Sequence, residues 1–141
     1  MQTWNVYQPR ITDEMAKTVN REGWDKTPWG PSYLGVTGLL NAPEASGRMR
    51  DAVENDLYRH AYIVEAADVA DTFPLTNGMG GEGRIILNIG QPSSGSVGDV
   101  VIRTDHSEGW ICLSLGWAEI ADDTLRWFES KVATVQPAMN A

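Results

Sequence analysis

A chain of 141 residues with a formal charge of −8 has the size of one domain, and its 11 Lys and Arg against 19 Asp and Glu disfavour a general affinity for phosphate backbones. The single Cys112 excludes an internal disulfide, and no apolar run approaches the roughly 20 residues that cross a bilayer. With no basic-then-apolar leader at its start, the chain is expected to be a soluble cytoplasmic protein that makes no membrane contact.

Thr3-Trp4-Asn5-Val6-Tyr7 alternates large apolar and polar positions, the period of a half-buried strand. Thr12 then caps a helix whose first turn holds Asp13 and Glu14, whose stripe is Ile11, Met15 and Val19, and whose stop is Gly23. Over residues 24–40 the periodicity fails, because Pro28, Gly30, Pro31, Gly35 and Gly38 punctuate a stretch that still carries Trp24, Trp29 and Tyr33. This stretch reads as an aromatic-rich loop. Pro43 suits a first helical turn, and Met49, Val53 and Leu57 make a four-residue stripe that predicts a second helix over residues 46–58.

His60-Ala61-Tyr62-Ile63-Val64-Glu65-Ala66 is a strand, after which Asp68 caps one or two helical turns with Val69 and Phe73 stacked, ended by Pro74 and Asn77-Gly78. Arg84-Ile85-Ile86-Leu87-Asn88-Ile89 is a further strand. A polar turn over residues 90–98 leads into Val100-Val101-Ile102-Arg103, answered across a short turn by Trp110-Ile111-Cys112-Leu113, a β-hairpin. Residues 116–120 add a short strand, and Asp122 and Asp123 open a last helix with Leu125, Phe128 and Val132 on one face. The order of elements predicts an α+β domain over residues 1–133, built on a small mixed or antiparallel sheet or a partly closed barrel with three or four short helices. Residues 134–141 read as a flexible tail.

Val64-Glu65-Ala66-Ala67-Asp68-Val69, Phe73, Leu75-Thr76-Asn77, Ser96-Val97-Gly98-Asp99-Val100-Val101 and Gly116-Trp117 together resemble a set of small proteins of phages, plasmids and conjugative elements that have no assigned function. The resemblance spans residues 61–120 and rests on turn and core positions. It implies a shared fold and a mobile-element origin, with host cytoplasm as the compartment, and it supplies no catalytic residue.

Gly78-Met79-Gly80-Gly81-Glu82-Gly83 matches the dinucleotide-binding pattern letter for letter, but a helix precedes it and a strand follows, the reverse of the order that aims backbone N–H groups at a pyrophosphate. Cys112 sits in an apolar strand, where desolvation keeps a thiol protonated, so it makes a poor nucleophile for His60 or His106 to activate. Two separated histidines and one cysteine lack the close spacing of a zinc site. Asp122 and Asp123 are accounted for by the helix dipole, and Asp99 by turn hydrogen bonds. No catalytic residue, metal ligand or cofactor is therefore assigned.

Six tryptophans remain, and Trp24, Trp29 and Tyr33 share one irregular segment that reads as an interface anchor. The expected function is that of a non-enzymatic accessory protein binding a host protein, with a homo-oligomer as a further partner. The alternative is a nucleotide- or single-strand-binding module with bases stacked on Trp110 or Trp117 and phosphates met by Arg84 and Arg103.

Overall fold

A computed structural model describes residues 1–135 and shows an α+β fold with one open, wholly antiparallel sheet of six strands. Strand β1 (Gln2–Pro9) is followed by α1 (Asp13–Glu22), a single 3-10 turn (Trp24–Lys26), α2 (Gly30–Thr37) and α3 (Ala42–Glu54). Then come β2 (Tyr58–Ala66), α4 (Val69–Thr76), β3 (Arg84–Asn88), β4 (Val100–Arg103), β5 (Gly109–Cys112), β6 (Trp117–Glu119) and α5 (Asp122–Lys131). The strand order is β3-β2-β1-β4-β5-β6, so the first strand lies inside the sheet and β3 and β6 form its edges.

The sheet does not close into a barrel. Its two ends, β3 and β6, have four strands between them, and each is blunted. Strand β6 is three residues long, and in β3 Leu87 pairs with Ile63 while Ile85 pairs with Val64, leaving Ile86 bulged between them. Short and bulged edges resist further strand pairing.

Side chains alternate across the sheet and build two cores. Trp4, Val6, Tyr62, Val64 and Val101 fill one face with Leu75 of α4. Tyr7, Val100, Ile102 and Ile111 fill the other against Val36 of α2, Met49 and Val53 of α3 and Phe128 of α5. Register fixes this assignment, because Asn5 faces Ile102, Val6 faces Val101 and Tyr7 faces Val100, and a slip of one residue would exchange the faces.

Helix ends follow local chemistry. The Thr12 hydroxyl accepts the Met15 N–H at 3.1 Å, and Asp68 accepts the Asp71 N–H at 3.2 Å. Helix α3 begins earlier than its stripe predicts, since the Asn41 N–H donates to the Glu44 carboxylate at 3.3 Å and Pro43 occupies the first turn. It also ends earlier, because Asp56 adopts φ 57° and turns the chain into β2. Pro74 lies inside α4 rather than ending it, and the Asn77 N–H closes the last turn on the Phe73 carbonyl at 3.1 Å.

The largest departure is over residues 24–40, which are the 3-10 turn and α2 in place of a loop, and they raise the helix count to five. Gly30 is a packing requirement here and does not break the helix: a Cβ on it would lie 2.0 Å from the Trp24 carbonyl oxygen. Helix α2 is locked to α3 by Ser32, whose hydroxyl donates to Asp51 at 2.5 Å, and by Arg48, which donates to the Gly35 and Leu39 carbonyls at 3.0 Å each. The start of the tail is tied to the sheet, with Thr134 hydrogen-bonded to the Tyr7 hydroxyl at 2.5 Å and the Val135 N–H donating to His60 Nδ1 at 2.9 Å. The rest of the expected tail lies outside the described residues. Among those residues, no helix is long and apolar enough to cross a membrane.

Candidate functional site

Trp24, Trp29 and Tyr33 come together as one cluster. The Trp24 ring stacks on Tyr33 with centroids 5.4 Å apart and planes 3° from parallel, and Trp29 meets Trp24 edge-on at 6.1 Å. All three are half-buried, and Trp29 and Tyr33 also pack on the core beneath α2. The cluster thus joins the 3-10 turn to α2 while leaving part of each ring exposed.

What α2 and its neighbours present to solvent is leucine. Leu39 is 72% exposed and Leu115 is 92% exposed, with Leu34 exposed one helical turn earlier. Leu39 and Leu115 belong to two turns bonded to each other: the Leu40 N–H donates to the Ser114 hydroxyl at 2.8 Å, and the Ser114 N–H donates to the Leu40 carbonyl at 3.0 Å. Two large apolar side chains are therefore held in water by a rigid cross-link. Beside this tip a small apolar cavity of about 160 Å³ opens between α3 and the β5–β6 strands, with Ala42, Ala45, Met49, Ile111 and Ala118 in its walls.

Trp110 and Trp117 share one face of the sheet, since Trp110 pairs with Glu119 and Cys112 with Trp117, and both indoles pack at the margin of the Trp4 core. Arg103 is on that face too, opposite Trp4, whereas Arg84 pairs with Glu65 and so shares the other face with Thr3. The two arginines are also three strand spacings apart, about 14 Å. Each has its charge matched locally. Arg84 meets Glu65 at 3.5 Å, and Arg103 meets Asp105 at 3.1 Å and Glu108 at 3.8 Å while also donating to Gln2.

A second cluster, anchored by Asp99, lies where the turn over residues 93–98 folds against the end of β1. Asp99 is 4% exposed and Gln8 is 1% exposed. Asp99 Oδ2 accepts the Ser96 N–H at 3.0 Å and Gln8 Nε2 at 3.3 Å. Gln8 also donates to the Ser93 carbonyl and accepts its N–H, both at 3.0 Å. The Tyr58 hydroxyl donates to the Gly98 carbonyl and the Tyr62 hydroxyl to the Ser93 carbonyl, each at 2.6 Å. Burial raises the Asp99 carboxyl to about 7, with the Ser96 and Gln8 hydrogen bonds opposing the shift. Perturbed groups of this kind cluster at functional sites. The Ser-Val-Gly-Asp string signals a turn, but Gln8 is 91 residues distant in sequence, so neither the burial nor the network was visible before folding.

The remaining candidates stay apart. Burial pushes the Cys112 thiol up to about 12, and nearby Asp99 adds to the rise. His60 is buried on β2, its pKa lowered by desolvation, with Nδ1 accepting from Val135 and Nε2 unpartnered among the described residues. His106, at φ 66° on the β4–β5 turn, contacts Glu129 of α5 through Nδ1 at the rim of an open cleft of about 470 Å³. No group of three or more His, Cys, Asp or Glu able to hold a metal occurs among the described residues. The residues from Gly78 to Gly83 form an exposed turn between α4 and β3, in helix–loop–strand order. No family model, curated protein or solved structure matches this chain.

Proposed function

We propose that this chain is a non-enzymatic interaction module that docks a host protein on the leucine tip, as an accessory factor of a phage or other mobile element acting in the host cytoplasm. One observation carries the reading: Leu39 and Leu115 stand in water on two turns that are cross-linked to each other. Single exposed leucines are ordinary, but two on a braced tip beside an apolar cavity form a pre-ordered anchor whose docking costs little entropy. The charge of −8 favours a partner with a basic rim, which it would steer into contact. The aromatic cluster supports this surface from behind. A nucleic-acid strand fits less well, because the indole face offers one arginine that two carboxylates already neutralise.

The test is cross-linking and co-purification from host cells with the wild type and the Leu39→Asp/Leu115→Asp double variant. The wild type is expected to enrich a defined protein that the double variant loses, while the variant's thermal midpoint stays within a few degrees because both sites are solvent-exposed. As a control, Trp24→Ala removes the stack under α2 and lowers the midpoint. Retention of the same partner by the double variant would sink the reading.

A further inference from the structure

The Asp99 network borders a half-open pocket of about 130 Å³ whose walls include Pro9, Tyr33, Ser94, Ser96, Val97 and Asp99. Its polar lining is not fully used. Asp99 Oδ2 takes both hydrogen bonds described above, and Oδ1 accepts none from the described residues. Asp99 is the only formally charged side chain in the lining.

We propose that this pocket binds a primary alkylammonium group, with the ammonium on Oδ1 of Asp99 and the methylenes against Pro9 and Val97. Asp99 is 4% exposed and its Oδ1 has no donor among the described residues, a position that an ammonium fills with both charge and N–H donors. The half-buried Tyr33 ring, held in position by its stack on Trp24, adds an aromatic wall on which a cation is favoured. A divalent metal fits poorly, since Ca²⁺ takes six to eight oxygens and the site offers a single carboxylate. The pocket volume suits several heavy atoms, more than a bare ion fills. This inference does not depend on the leucine tip.

Binding is tied to the ionisation of Asp99. The groups around it are Tyr33 on α2, Tyr58 and Tyr62 on β2, and Cys112 on β5, all held protonated by burial, with the Arg10 guanidinium near Tyr33 and Tyr62 but outside the lining. With its pKa near 7, the Asp99 carboxyl is about 90% ionised at pH 8 and about 10% at pH 6, so affinity is expected to fall about 10-fold between them.

The experiment titrates the wild type with n-butylammonium, following tryptophan fluorescence and the Asp99 carboxyl carbon by NMR. Saturable binding at pH 8, weakening about 10-fold at pH 6, together with a lowered Asp99 pKa in the bound state, is the expected result. The Asp99→Asn variant should lose binding, and the wild-type carboxyl titration remains decisive if that variant fails to fold. An Asp99 pKa unmoved by saturating n-butylammonium, or equal affinity for neutral 1-butanol, overturns the proposal. A lysine-bearing tripeptide that binds more tightly than n-butylammonium assigns the ligand to a protein side chain, and the reverse order assigns it to a free amine; either result upholds the pocket's chemistry.

Discussion

Asp99 carries a stability cost that depends on pH. Its carboxyl moves from an ordinary 3.8 to about 7 on folding, so folding favours the protonated form. The contribution is fully present below about 4 and is lost as pH rises through 7, to the extent of roughly 4 kcal/mol for a shift of this size. His60 acts in the opposite sense, since its lowered pKa removes stability as pH falls through the usual histidine range. Urea unfolding of the wild type and Asp99→Asn, compared at each pH, isolates the first effect. The wild type should lose stability relative to the variant between pH 4 and 7, and a difference that is flat across that window would show the carboxyl to be unperturbed. At this scale the sequence shows a turn aspartate and nothing of its burial, because the groups that desolvate it come from β1, α2, β2 and β5.

Among the elements, α2 separates the two meanings of glycine. At Gly30 a new Cβ would lie 2.0 Å from the Trp24 carbonyl oxygen and 2.2 Å from Thr27 Oγ1, so the 3-10 turn and the helix would have to part. At Gly35 the nearest atom is Arg48 Cδ at 3.9 Å, and an alanine fits. Gly30→Ala is therefore expected to destabilise by about 2 kcal/mol or more, and Gly35→Ala to stabilise by about 0.5–1 kcal/mol through helix propensity. Thermal melts of the two variants give the answer, and equal effects would contradict the packing. The same contrast explains what was legible: α1, α4 and α5 announce themselves through Thr12, Asp68 and the Asp122-Asp123 pair. Helix α2 has no apolar stripe and two glycines, one at its first position kept by contact with the preceding turn and one inside it merely tolerated. Local pattern cannot tell those two apart. Strands fared better, since Val100-Val101-Ile102 and its partner Trp110-Ile111-Cys112 carry β-branched and aromatic residues that declare the hairpin unaided.

For the whole molecule the decisive fact is that β1, made first, is paired on both sides, by β2 from the middle of the chain and β4 from its last third. The sheet's centre is thus assembled from distant segments, which is why sequence indicates strands but not whether they close into a barrel. Phe128 of α5 completes the assembly, fully buried, with its ring edge-on to Tyr7 of β1 at 5.2 Å and to Tyr58 of β2 at 5.3 Å. Removing it opens a cavity that no neighbour on the rigid sheet can fill, and Phe128→Ala is expected to cost about 3–5 kcal/mol. Because the loss falls on contacts shared by the central strands, it should act on global unfolding. Amide exchange in the wild type should then be slowest in β1, by orders of magnitude over β3 and β6 at the edges, and Phe128→Ala should accelerate β1 while leaving the edge strands nearly unchanged. If β1 exchanges as fast as the edges in the wild type, the centre of the sheet is no more stable than its edges, and the strand order does not grade its opening.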